Sequence, residues 1–415
     1  MLPFTNDAIV LGLLLLTLAF VFVTSSSEHP FWKRFYRYVP ALLLCYFLPA
    51  LLQWPLGLIS GEESQLYFVA SRYLLPASLV LLCLSIDLKG ILNLGPKALI
   101  MFFTATFGIV LGGPVALFLV LTAFPEWIPA DPEQIWRGLT TVAGSWIGGG
   151  ANQTAMKEIF NVADNLFASM IVVDIICANL WMGFLLYGAG ISDQVDRWLK
   201  ADNSAITDLR ERVEKYRANI ARIPTTRDVF VILAVGFGGT ALAHFGSDLI
   251  VPWVKNYEAT LRELRLNSLM SGFFWLIVIA TTVGVGLSFS PLRRLEGVGA
   301  SRTGSVFIYI LVATIGMKMN LAEVYQNLGL FAVGIVWMLI HVTLLLVVAK
   351  LIRAPFFFVA VGSQANVGGA ASAPVVASAF SPSLAPVGVL MAVLGYALGT
   401  YGAILCAYLM QAVAI

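Results

Sequence analysis

The chain of 415 residues is 59% hydrophobic and only 12% charged, with a mean hydropathy of +0.87; an average soluble domain carries roughly 25% charged residues. Its net charge of +2 provides no field for nucleic acid or for a strongly charged partner. Apolar runs long enough to cross a bilayer recur throughout and do not alternate in polarity, which excludes a soluble domain and a β-barrel and leaves an all-α, polytopic membrane protein.

The first apolar run, residues 8–23, has an acidic lead at Asp7 and no small-residue cleavage site, so it reads as a span rather than a signal peptide. Lys33, Arg34 and Arg37 follow it. The positive-inside rule therefore puts that segment in the cytoplasm and the N-terminus outside. Residues 39–59 return to an acidic turn outside, Glu62-Glu63. Residues 66–86 lead inward to Lys89 and Lys97, and 98–124 end outside at a Pro-rich stretch without Lys or Arg.

A Gly-rich segment at 136–160 comes next, then a span at 166–187 and the polar stretch 193–228, which contains Arg210, Arg212, Lys215 and Arg217. That stretch is cytoplasmic only if the Gly-rich segment enters and leaves on the outer face, as a re-entrant hairpin. Part of it, 205–220, has the opposite charges at i,i+4 of a surface helix, Asp208 with Arg212 and Glu211 with Lys215. Residues 228–251 then cross outward, 268–289 inward to Arg293, Arg294 and Arg302, 304–317 outward, and 328–349 inward to Lys350 and Arg353. A second hairpin, 356–380, enters from the cytoplasm, and 384–413 is the last span. The four cysteines lie in apolar runs without metal-ligand spacing.

The two Gly-rich runs organise this order. The first reads Gly144-Ser145-Trp146-Ile147-Gly148-Gly149-Gly150-Ala151-Asn152-Gln153-Thr154. The second reads Gly362-Ser363-Gln364-Ala365-Asn366-Val367-Gly368-Gly369-Ala370-Ala371-Ser372. Glycine costs about 1 kcal/mol relative to alanine inside a helix, and freed backbone groups cannot face lipid. Broken segments at matching positions of two halves mark the substrate site of a transporter. The order of span, long span, hairpin and span repeats with opposite starting sides. This gives an inverted repeat of 65–190 and 297–415, scaffold spans at 1–64 and 228–296, and a linker at 191–227.

With these residues in view, the chain resembles the uncharacterised bacterial membrane-protein family that includes the YjcL-like proteins. More distantly it is similar to the glutamate:sodium symporters and the 2-hydroxycarboxylate transporters, which carry Gly-Gly-x-Gly in two opposed re-entrant hairpins. That likeness implies an elevator-type secondary transporter acting as a homodimer. Here the motifs read Gly148-Gly149-Gly150-Ala151 and Val367-Gly368-Gly369-Ala370, a departure that leaves glutamate and citrate unassigned as substrates.

The hairpins supply the substrate-binding candidates Gly149, Gly150, Asn152, Gln153, Thr154, Gln364, Asn366, Gly368, Gly369 and Ser372, with Lys318 as a carboxylate partner. Packing of small residues is the alternative role for the hairpin residues, and interfacial snorkelling the alternative for Lys318. Asp174, mid-span, is the ion-coupling candidate with Ser145, Ser363 and Asn320, because a carboxylate at that depth is costly. Na⁺ could lie at Asn152, Asn366 and Asp174; otherwise the coupling ion is H⁺. Arg72 and His341 are isolated polar residues, and Gly108/Gly112 and Gly395/Gly399 have the spacing of close helix contacts. No cofactor, nucleotide loop or hydrolytic motif is present, so the expected function is ion-coupled transport of a small anionic or zwitterionic solute in the bacterial inner membrane. An uncoupled channel or uniporter is the alternative, and an enzyme is disfavoured.

Overall fold

A computed structural model describes residues 3–39, 41–60, 64–86, 91–92, 94–127, 131–202, 223–263, 266–318, 329–381 and 384–414. In chain order the helices are α1 (Asp7–Ser25), α2 (Pro30–Tyr38), α3 (Ala41–Gln53) and α4 (Leu66–Leu84). Next are α5 (Pro96–Ala123), α6 (Pro132–Gly148), α7 (Gly150–Ile159), α8 (Asp164–Gly190) and α9 (Ser192–Leu199). There follow α10 (Thr226–Lys255), α11 (Glu258–Glu263), α12 (Gly272–Ser288) and α13 (Ala300–Gly316). The last are α14 (Leu330–Leu351), α15 (Phe356–Val367), α16 (Gly369–Phe380) and α17 (Ala385–Val413). Among the described residues, seven helices are long and apolar enough to cross a membrane, or eight if α12 and the bent segment after it are one span. The chain is a polytopic helical membrane protein.

Helices α1, α3, α4, α10, α12 and α13 pack as one group, and α5 to α8 with α14 to α17 as another. Small residues set the close crossings, as expected where lipid gives no hydrophobic drive between helices. Gly108 of α5 lies against His341 of α14, and Gly112 against Trp337. The numbers run oppositely, so α5 and α14 are antiparallel. By the same logic α4 and α13 are antiparallel, because Gly304 lies against Ser78 and Leu82 while Lys318 sits over the Tyr67 ring. Helix α17 runs parallel to α5, with Gly402 near Val110 and Cys406 near Gly113. Helix α8 runs parallel to α14: Gly334 meets Val173 and Cys177, and Trp181 and His341 share Ser363.

Both Gly-rich runs break at glycine and fold back. Gly149 has φ 75° and ψ −171°, a region only glycine occupies readily, and it separates α6 from α7. The two legs touch backbone to backbone, since a Cβ on Gly144 would lie 2.7 Å from the Asn152 carbonyl oxygen. At the open end the Arg137 guanidinium donates to the Phe160 carbonyl at 3.5 Å. In the second unit Gly369 has φ 59°. The Gln364 amide donates to Ser372 across the break, and Phe357 and Phe380 pack edge to face at 5.3 Å at the open end.

The first hairpin begins beyond the C-terminal end of α5, and the second beyond the C-terminal end of α14, where α5 begins. They therefore approach from opposite ends of the α5–α14 pair. Asn366 reaches Phe102 and Thr106 of α5, while Ile147 and Val110 share contact with Gly402. The tips meet halfway along α5.

Two spans differ in detail from the sequence reading. The expected span at 39–59 contains a helix only over Ala41–Gln53, after which the chain turns. Helix α4 contains a π-helical turn, Ala70–Leu74, within the expected 66–86 span. Residues 203–222, with the expected linker helix, and Asn320 lie outside the described residues.

A cavity between two hairpin tips

The tips enclose a cavity of about 410 Å³. Gly149, Gly150 and Ala151 form its wall from the first hairpin, and Gln364, Val367, Gly368, Gly369 and Ser372 from the second. Helix α8 adds Asp174, Ile175, Asn179 and Met182; α13 adds Ser305, Ile308 and Tyr309; α17 adds Tyr396. The starts of α7 and α16, with their free N–H groups and positive dipole ends, thus border one space.

Asp174 is 4% exposed, and three donors from the first hairpin converge on it. Ser145 gives its hydroxyl at 2.6 Å, Trp146 its indole N–H at 2.7 Å and Gln153 its amide at 2.9 Å. Two of these come from α6 and one from α7, so the carboxylate ties both legs together next to the break. All three are donors, the arrangement an ionised carboxylate accepts, and charge-assisted bonds of this kind offset part of its desolvation. The Trp146 contact carries no sequence signal.

The asparagines brace the hairpins to neighbouring helices. Asn152 donates to the Gly148 and Tyr396 carbonyls at 3.1 and 3.0 Å and accepts from Thr400 at 2.6 Å. Asn366 donates to the Gly362 and Phe102 carbonyls at 3.0 and 3.2 Å and accepts from Thr106 at 2.8 Å. Thr154 caps back onto the Gly150 carbonyl at 2.9 Å. Ser363 sits in a chain of hydrogen bonds: the Trp181 indole donates to it at 2.8 Å, and it donates to His341 Nε2 at 2.8 Å. His341 Nδ1 lies 3.1 Å from the Ala105 carbonyl, which can only accept. That puts a proton on Nδ1, and in the neutral ring Nε2 is then the acceptor that faces Ser363.

Of the expected binding residues, Gly149, Gly150, Gln364, Gly368, Gly369 and Ser372 line the cavity with Asp174 and Ser145. Asn152, Gln153, Thr154, Ser363 and Asn366 lie behind them in helix contacts. Lys318 is placed elsewhere, over the Tyr67 ring and 3.8 Å from Asp164. There it joins a cluster at the open end of the first hairpin. Lys157, 5% exposed, pairs with Asp164 at 2.8 Å and with Glu158 at 3.5 Å. Glu158 pairs with Arg72 at 3.0 Å and accepts from the Tyr67 hydroxyl. Arg72, isolated in sequence, thus has a partner 86 positions away. Its carbonyl, in the π-helical turn, meets His244 at 3.0 Å. Asn179, five positions from Asp174, shares the cavity wall, which is broad enough to reach both. Ser305, Tyr309 and Tyr396 are lining residues that sequence reasoning passes over, because a serine or tyrosine in an apolar span has no distinguishing spacing.

Among the described residues no three His, Cys, Asp or Glu side chains cluster as metal ligands. A cation held here would find carbonyl, hydroxyl and amide oxygens with one carboxylate, a set suited to hard ions.

The chain is 25% identical over 343 residues, 82% of its own length and 82% of the other, to a protein named uncharacterized membrane protein YjcL from Bacillus subtilis (strain 168). The family model described as protein of unknown function, DUF819, matches residues 12–413, so that the chain belongs to the DUF819 family.

Proposed function

We propose that the protein is a secondary active transporter of a small anionic or zwitterionic organic solute, coupled to Na⁺ or H⁺, in the bacterial inner membrane. The observation that carries this reading is the meeting of two helical hairpins, from opposite ends of the α5–α14 pair, around one cavity at mid-height. Broken helices at the bilayer midplane present N–H ends to anionic groups and carbonyl ends to cations. The antiparallel pairing of α4 with α13 and of α5 with α14 is what an inverted repeat of 65–190 and 297–415 calls for.

In this reading the hairpin group moves as an elevator past the group of α1, α3, α4, α10, α12 and α13, within a homodimer. Asp174 links ion binding to hairpin geometry: a bound Na⁺ or a proton on its carboxylate competes with the donors that hold the two legs together. The test is uptake into proteoliposomes under an imposed Na⁺ or pH gradient, scanned over small organic acids and amino acids. Accumulation driven by one gradient is expected. Flux that only follows the solute's own gradient would make the protein a uniporter or channel, and no flux of any solute would contradict transport.

A further inference from the structure

The cavity's charge pattern selects among organic solutes, and the selection rests on the transport reading above. No lysine, arginine or histidine is among its described lining residues, and Asp174 is its one charged side chain. Positive potential on the wall comes from the starts of α7 and α16, at Gly150 and Gly369. Each is equivalent to about half an elementary charge. Two such ends suit one carboxylate; a second carboxylate on the same solute would be desolvated without a cationic partner.

A second feature points to the solute's other end. Gln364 is 2% exposed and lines the cavity. Its Nε2 donates to Ser372 at 2.7 Å, and its Oε1 is buried without a partner. An unpaired buried acceptor carries a penalty that a ligand removes by bringing a donor to it. Asp174 adds negative potential to the same cavity. Leu82, Ile175, Met182, Ile308 and Val367 supply an apolar part of the surface, beside neutral polar side chains such as Asn179, Ser305 and Tyr396.

We infer that the cavity takes an apolar α-amino acid as its zwitterion. Its carboxylate sits at the two half-helix starts, its ammonium group donates to Gln364 Oε1 in the field of Asp174, and its side chain lies against the apolar lining residues. Dicarboxylates and tricarboxylates are excluded for want of a cationic side chain, and simple amines because they leave the helix starts without an anion.

The experiment is thermal stability and equilibrium binding of the purified full chain in Na⁺-containing buffer. The probes are leucine, methionine, 4-methyl-2-oxopentanoate, 3-methylbutylamine, glutamate and citrate. A ligand of the folded state raises the melting temperature by mass action. Leucine or methionine is expected to stabilise, and the other four are not. Gln364→Met, which removes the acceptor, is expected to weaken amino-acid binding about 10-fold or more. Gln364→Glu, which keeps an acceptor and adds negative charge, is expected to retain it.

Stabilisation by the oxo acid or citrate but not by the amino acids overturns the assignment. So does loss of amino-acid binding in Gln364→Glu alone, or no response to either amino acid. The wild-type panel decides the class even where a variant fails to fold. Uptake is read separately. Amino-acid binding without uptake would keep the class and remove transport, while uptake of another solute class would keep transport and remove this assignment.

Discussion

Single residues at the hairpin tips separate backbone requirements from contact requirements. Gly149 has φ 75° and ψ −171°, yet a Cβ there would meet only the Tyr396 ring, at 3.9 Å. Gly149→Ala is therefore expected to destabilise by about 1–3 kcal/mol through backbone strain alone. Gly150 next to it has an ordinary φ, and a Cβ would meet only Ile308 at 3.8 Å. Gly150→Ala should leave the melting temperature nearly unchanged; equal losses in both variants, measured by thermal denaturation, would refute the distinction. Asp174→Asn is the matching test of the carboxylate. An amide cannot accept from Ser145, Trp146 and Gln153 together, so one buried donor loses its partner. A loss of about 1–3 kcal/mol is expected in thermal denaturation. The same variant should lose ion-dependent stabilisation. Asp174 was legible as a site because a lone carboxylate in an apolar run is conspicuous; its three donors were not, because their approach depends on how the hairpin folds back.

Elements meet where glycine allows it, and the GxxxG spacings in the sequence mark these places correctly. A Cβ on Gly399 would lie 2.5 Å from the Gly148 Cα and 2.6 Å from the Asn152 amide nitrogen. Gly399→Ala must therefore push the first hairpin away from α17. The expected result is a marked fall in melting temperature and loss of ligand binding, whereas Gly286→Ala, with open space at its Cβ, should be neutral. Both helix breaks could be read from runs of consecutive glycines, which weaken a helix more than the close packing of small residues calls for. What spacing could not show is that Asn152 and Asn366 brace neighbouring helices, because their partners on α17 and α5 are more than 240 positions away. The same holds for Lys318. A lysine closing a span reads as a solute partner until Lys157, Asp164, Glu158 and Tyr67 are seen around it.

At the scale of the whole molecule, that charged cluster joins the two helix groups. Lys157, Glu158 and Asp164 belong to the hairpin group, while Tyr67 and Arg72 of α4 and Lys318 after α13 belong to the other. Removing one member of a buried ion network typically costs about 3–5 kcal/mol, because the remaining charge is left unpaired. Lys157→Ala should thus lower stability sharply, and Glu158→Gln added to it should recover part of the loss; additive losses would show that the cluster is not one network. The positions of the seven long apolar helices among the described residues follow directly from hydropathy. Which helices touch, α4 with α13 and α5 with α14, does not, since contact rests on side-chain fit between distant segments.

The arrangement of the hairpins themselves is tested by single cysteines at their open ends, because the native cysteines are buried. Gln134 and Ala163 flank the first hairpin and Lys350 and Ala379 flank the second, and all four are exposed. Each is replaced by cysteine and challenged with an impermeant maleimide on intact cells and on inverted vesicles. The account predicts that cysteines at 134 and 163 react from outside only, and those at 350 and 379 from the cytoplasmic side only. Labelling of 134 and 163 from opposite sides would mean that the first Gly-rich segment crosses the membrane, and the account of two opposed hairpins would be wrong.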